Sequence, residues 1–223
     1  IAIAGAGSIG CFVGGMLVAG DRRVALLARS RVIGEIEANG LRPTSFEGFD
    51  RTFAANRFAL SEDPSILGDA AVALVAVKSA DTAAMADVIA RHAPSDVVIV
   101  SLQNGVDNTA VLRNRLPGRR VLGGMVPFNV IALGNGRFHR ATSGDIVIEQ
   151  DEARTAEKIS VQGLNMRATG NIDGVQWGKL LLNLNNALNA LADLPLRRQL
   201  AQRPWRRLLA DQMAEGLAAM RAE

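Results

Sequence analysis

The opening stretch IAIAGAGSIGCFVGGMLVAG restricts the fold of this chain more than any other part of it. Four residues of apolar character read as a buried strand, Ser8 to about Ala19 reads as a helix, and GAGSIG between them fits G-x-G-x-x-G. In that setting the glycines let the backbone turn tightly and approach a pyrophosphate, whose charge meets the free N–H groups at the positive end of the helix. A purely structural glycine turn is the plainer reading. The strand before, the helix after and a second apolar run, VALLA, at the expected distance favour a phosphate cradle over Gly5, Ala6, Gly7, Ser8, Ile9 and Gly10.

Strand-like and helix-like segments continue to alternate. VALVAV precedes a helix from Asp81 to Arg91, VVIVSL follows it, and one or two short strands fit between Gly40 and Phe58. This alternation predicts a doubly wound parallel sheet with helices on its faces. RRVLGGMV predicts a further strand, and GRFHRATSGDIVIEQ an antiparallel hairpin turning near Ser143-Gly144-Asp145. From Asp173 onward the strand signal disappears. The expected division is therefore a Rossmann-like α/β domain over 1–170 and the start of an all-helical domain over 171–223. The first residue falls inside a strand and the last inside an amphipathic pattern, so the chain reads as trimmed at the start and incomplete at the end.

The carboxyl ends of the predicted strands carry the polar chemistry. An acidic residue after the second strand would hold the ribose hydroxyls of NAD; VALLAR instead ends in Arg29, with Arg31 just beyond. A guanidinium grips phosphate in a planar fork, so the reading favours the 2′-phosphate of NADP. Lys78 follows VALVAV and Asn104 follows VVIVSL, which places both on the edge where open α/β sheets bind ligands. Taken singly, Lys78 reads equally well as a solvated loop lysine and Asn104 as part of a plain turn.

Composition narrows the function classes. Of 25 basic residues only Lys78, Lys158 and Lys179 are lysine, and no basic stripe interleaved with aromatics suggests nucleic acid. No apolar run approaches the length of a membrane span, and a cytoplasmic location is the default. Cys11 is the single cysteine, and it reads as a packing residue despite its place at a helix start. His92 and His139 have no neighbours at ligand spacing, so no metal is expected.

QWGKLLLNLNNALNAL, from Gln176, sets one of the three lysines among four asparagines. Helical spacing puts Trp177, Leu180, Leu181, Leu184, Leu188 and Leu191 on one side, and Lys179, Asn183 and Asn186 in a stripe on the other. A wet outer face is the plain explanation. Asparagine is a poor helix former, however, and this chain elsewhere uses arginine, glutamate and alanine on wet faces. Amide and ammonium groups together could hold a small 2-oxo acid, with Lys179 donating the proton that a ketone oxygen needs when hydride reaches its carbon.

GAGSIG, Arg29, VKSAD around Lys78, QNG at Asn104, GGMVPFNV and the run from Trp177 to Asn183, in this order, resemble the ketopantoate reductase (2-dehydropantoate 2-reductase) family from residue 1 to about 220. The resemblance implies NADPH-dependent reduction of 2-dehydropantoate to (R)-pantoate on the way to pantothenate and coenzyme A. It implies that Gly5 to Gly10 cradle the pyrophosphate, Arg29 meets the 2′-phosphate, Lys78 and Asn104 border nicotinamide and substrate, and Lys179 donates the proton. Asn183 matches the first substrate-binding asparagine. The second often lies eight residues after the lysine, where this chain has Ala187, so Asn186 takes its place. Asn129 in VPFN aligns with a cofactor-contacting backbone position, and a substrate-binding serine and a glutamate near the cofactor are expected beyond residue 223. A monomer or homodimer is implied. The alternatives are a reductase of another small 2-oxo or β-hydroxy acid, a non-catalytic NADP-binding or sensing module, and a Rossmann-type methyltransferase; the last usually wants an acid near Arg29 and has no use for Lys179.

Overall fold

The computed structural model describes residues 1–222. Its elements run β1 (Ala2–Ala4), α1 (Ser8–Ala19), β2 (Val24–Leu27), α2 (Ser30–Asn39), β3 (Arg42–Ser45), β4 (Phe58–Ser61), β5 (Val72–Val75), α3 (Thr82–His92), β6 (Val98–Ser101), α4 (Asn108–Arg115), β7 (Arg120–Leu122) and β8 (Gly124–Met125). They continue through β9 (Val130–Ala132), β10 (Arg137–Arg140), β11 (Ile146–Glu149), α5 (Thr155–Ile159), β12 (Met166–Thr169), α6 (Ile172–Asn183), α7 (Asn185–Ala192), α8 (Leu196–Ala201) and α9 (Arg203–Ala222). Two units divide between Ile172 and Asp173.

The first unit is built on a parallel sheet in the order β4-β2-β1-β5-β6-β7. The inner strands β1, β5 and β6 are buried on both faces, and alternation decides which residue serves which face. Ile3, Leu26, Leu74 and Val100 join Phe12, Met16 and Ile36 of α1 and α2. Ala2, Ala4, Ala73, Val75 and Ile99 join Ala86, Ile89 and Leu112 of α3 and α4. Each fully buried valine, leucine, isoleucine, phenylalanine or methionine among them contributes about 1.5–3 kcal/mol, and each alanine less. The chain leaves β1 for β2 in one direction and enters β5 and β6 in the other, so the order reverses beside β1, which makes the carboxyl ends of β1 and β5 the crevice of the sheet.

The helix α1 is buried from Gly10 to Val18, and two glycines let it sit this deep. A methyl on Gly14 would come within 2.8 Å of Leu26, and one on Gly15 within 2.9 Å of Pro43. Small side chains here fix the distance between the helix, the sheet beneath it and β3.

Two features depart from expectation. RRVLGGMV forms β7 in the large sheet and β8 in a separate sheet of order β12-β11-β8. Gly123 leaves the ladder to donate its N–H to Glu149 Oε2 at 2.8 Å, and a side chain on Gly124 would run into the Ser101 carbonyl. Nor do β10 and β11 pair as a hairpin. β10 lies between β3 and β9, and β11 between β12 and β8, so both edges of each are taken. Arg140 is buried at the exchange, its guanidinium donating to the carbonyls of Thr142 and Gly144 and lying 4.7 Å over the Phe128 ring. These bonds pin the exposed turn to the buried arginine at the point where the chain changes sheet.

The second unit is helical throughout. The asparagine-rich helix is interrupted at Leu184, whose N–H is shared between the carbonyls of Leu180 and Leu181. Leu188 is buried, whereas Leu191 is 79% exposed and so lies outside the expected leucine face. The break before the last helix falls at Gln202, which puts Pro204 in the first turn of α9, where its missing N–H costs nothing. Arg206 closes the end of α8 by donating to the carbonyls of Leu200 and Ala201.

Candidate functional site

The glycine loop joins β1 to α1, and each glycine has its own reason to be there. Gly5 has φ +97°, and a Cβ on it would collide with Val77. Gly10 lies so near the Gly5 carbonyl and Ile3 that a Cβ would sit 2.8 Å from each. Gly7 is exposed, and a Cβ there would meet nothing within 4 Å, so the space over it is open. Gly7 is also the N-cap of α1, and having no side chain it leaves the first-turn amides of Ser8, Ile9 and Gly10 without a side-chain cap. A cradle open above its middle glycine, with uncapped amides behind it, fits an anionic pyrophosphate. Ala6 closes the loop by donating its N–H to the Leu27 carbonyl at 3.0 Å.

Arg29 ends β2 and is the N-cap of α2, with its side chain exposed. Lys78 follows β5 as the N-cap of a short 3-10 turn, Ser79–Asp81, and is also exposed. Asn104 follows β6 and is exposed, with Gly105 beside it at φ +103°. All four features lie at the carboxyl ends of parallel strands.

A buried polar network links the Lys78 and Asn104 loops, and no local sequence pattern announces it. Asn108 donates from Nδ2 to the Asn104 carbonyl at 2.7 Å and to Ser79 Oγ at 3.1 Å. Gln103 donates from Nε2 to Thr82 Oγ1 at 2.7 Å and to the Val77 carbonyl at 3.1 Å. Thr82 Oγ1 lies 2.8 Å from Asn108 Oδ1 and 2.9 Å from the Ser79 carbonyl, and its one proton serves these two acceptors. Thr82, Gln103 and Asn108 are all buried. Because Val77 is the residue against which Gly5 packs, the network runs from the glycine loop to Asn104 without a gap. Satisfied buried polar groups of this kind hold one backbone geometry, since leaving any of them unpaired costs about 1–3 kcal/mol.

Asn129 differs from the other candidates. It precedes β9, its N–H donates to Thr142 Oγ1 at 2.9 Å and its carbonyl accepts from Ala141 at 2.9 Å. Only the carbonyl's second lone pair and the exposed side chain remain for a ligand. It is held near α1 through the preceding residue, Phe128, whose ring meets Phe12 edge-on at 5.6 Å.

The Lys179 stripe lies in the second unit. Lys179 and Asn183 of α6 are half-buried, and Asn186 of α7 is exposed. The other two asparagines have structural work. Asn189 donates from Nδ2 to the Leu194 carbonyl and to Gln199 Oε1, both at 2.9 Å, and Gln199 Nε2 donates to Asn185 Oδ1 at 3.1 Å. Gln199 is fully buried, so Asn185 and Asn189 are what satisfies it. This network ties α7 to α8 and accounts for half of the asparagines in the run.

Cys11 and His139 have structural surroundings. Cys11 is fully buried, and burial pushes its thiol up to about 12, with the Glu35 carboxylate adding to the effect. His139 Nδ1 is 2.9 Å from Thr44 Oγ1, and among the described residues no cluster of three or more His, Cys, Asp or Glu could hold a metal. No helix among the described residues is long and apolar enough to cross a membrane.

Comparison with known proteins identifies the family. Residues 1–152 match the family model described as Ketopantoate reductase PanE/ApbA. A 2-dehydropantoate 2-reductase of Halobacterium salinarum is 32% identical over 232 aligned residues, covering 100% of this chain and 75% of that protein. A PanE/ApbA family ketopantoate reductase from Ralstonia eutropha JMP134 superposes with a TM-score of 0.89 at 34% identity, over 99% of this chain and 74% of the other. The ternary structure of a D-mandelate dehydrogenase with NADH and anilino(oxo)acetate shares the fold, at a TM-score of 0.83 and 21% identity over 100% of this chain and 74% of that one. A further 2-dehydropantoate 2-reductase, from Archaeoglobus fulgidus, is 27% identical, and there the match takes in 82% of this chain but 60% of the relative. By the family model and the Halobacterium relative, this chain belongs to the ketopantoate reductase PanE/ApbA family of oxidoreductases.

Proposed function

We propose that the complete protein reduces 2-dehydropantoate to (R)-pantoate with NADPH. The observation that carries this reading is the continuous rim from the open Gly7 cradle through Val77 to Asn104, in a chain of this family. The bound nicotinamide supplies hydride to the ketone carbon. Every other part of the chemistry falls to the protein. The first-turn amides of Ser8, Ile9 and Gly10 hold the pyrophosphate against the positive end of α1. Arg29, exposed at the end of β2, pairs with the 2′-phosphate. Lys78 and Asn104 border the reacting end, and the Gln103–Thr82–Asn108 network keeps their loops in register.

Lys179 donates the proton to the ketone oxygen and stabilises the alkoxide as it develops. Asn183 and Asn186 bind the substrate's carboxylate and hydroxyl, for which an amide offers both a donor and an acceptor. Asn129 offers the cofactor its carbonyl and its exposed side chain, since its N–H is committed to Thr142.

A panel of small 2-oxo acids, followed by NADPH consumption, tests the substrate assignment. 2-Dehydropantoate should give the highest kcat/KM. A higher value for another 2-oxo acid would move the protein to a different reductase of the same family.

A further inference from the structure

No carboxylate follows β2 in sequence, yet the fold brings one to that point from the neighbouring strand. β4 pairs in parallel with β2, Leu27 opposite Ser61, and the Ala28 N–H donates to the Ser61 carbonyl at 3.0 Å. The next residue is Glu62, which is exposed, and its Oε1 accepts the Ser30 N–H at 2.7 Å. Ser30 is the first residue of α2, and Arg29 is its N-cap. One of the orphan amides next to the arginine assigned to the 2′-phosphate is therefore already held by a fixed negative charge.

We propose that Glu62 sets the coenzyme preference of this protein by opposing Arg29. The inference rests on the cofactor reading given above and goes beyond it. In Rossmann-type sites the residues after β2 decide between a ribose 2′-hydroxyl and a 2′-phosphate: a carboxylate accepts from the hydroxyl, and an arginine takes the phosphate. Here both types reach the same place, Arg29 from β2 and Glu62 from β4. The 2′-phosphate of NADP(H) gains the guanidinium but meets a carboxylate that occupies the Ser30 amide. NAD(H) lacks that repulsion, and the second carboxylate oxygen of Glu62 can accept from its hydroxyl. The outcome is a preference for NADP(H) that is weaker than Arg29 alone would give.

The test is the ratio of dissociation constants for NAD+ and NADP+, measured by calorimetry on wild type, Glu62→Gln, Glu62→Ala and Arg29→Ala. Glutamine keeps an oxygen for the Ser30 amide and removes the charge, so Glu62→Gln should raise the preference for NADP+ about two- to fivefold, the size of a single charge contact at an exposed site. Its melting temperature should stay at the wild-type value. Arg29→Ala should shift the preference the other way. If Glu62 serves only to cap α2, Glu62→Ala lowers the melting temperature and neither Glu62 variant changes the ratio, which overturns the proposal. Binding of neither dinucleotide to wild type overturns the cofactor reading itself, and the proposal with it.

Discussion

Cys11 shows how two opposing effects are decided at a single position. The start of a helix favours a thiolate, whereas loss of water disfavours it. Desolvation wins here: the side chain is fully buried, and the thiol is pushed up to about 12 from 9.0. The sign of the linkage follows from the direction. Below pH 9 the thiol is protonated in both folded and unfolded chains; between pH 9 and about 12 only the unfolded chain loses its proton, so native stability falls as pH rises across that window. The native protein should therefore leave Cys11 unreacted with a thiol-specific disulfide reagent at pH 8 and release one equivalent on denaturation. Rapid reaction of the native thiol would contradict its burial.

The asparagines of α6 and α7 separate two kinds of role along one run of sequence. Asn189→Ala removes two hydrogen bonds and leaves the fully buried Gln199 short of a donor, and should destabilise the protein by about 1–3 kcal/mol in thermal or denaturant unfolding. Asn186→Ala, at an exposed position, should leave stability unchanged and raise KM for the 2-oxo acid. If the two variants behaved alike in both assays, the division of roles would be wrong. Spacing alone separated Lys179, Asn183 and Asn186 from the other two asparagines, but it could not show that Gln199, on another helix, binds the others. A similar limit applies in the first unit. Local pattern identified the glycine loop and the strands around it, because burial of both sheet faces leaves an apolar run for each strand. It missed the exchange between β10 and β11, since alternation records which face a strand buries and not which strand it pairs with. It also missed Glu62 and the Gln103–Thr82–Asn108 network, which exist only through the pairing of β2 with β4 and of β5 with β6.

Across the whole molecule, the division of labour follows the two units. The first holds the candidates for the dinucleotide, all but Asn129 on a rim that the sheet order creates and a buried network braces. The second holds the only lysine in a stripe of amides. If Lys179 is the general acid, the residues that would hold the dinucleotide and the residue that gives the proton belong to different units, and loss of the proton donor should leave dinucleotide binding intact. Lys179→Ala in the complete protein should lower kcat for 2-dehydropantoate by about a hundredfold or more, with the dissociation constant for NADPH little changed. Turnover near the wild-type rate, or loss of NADPH binding to match the loss of kcat, would contradict the account.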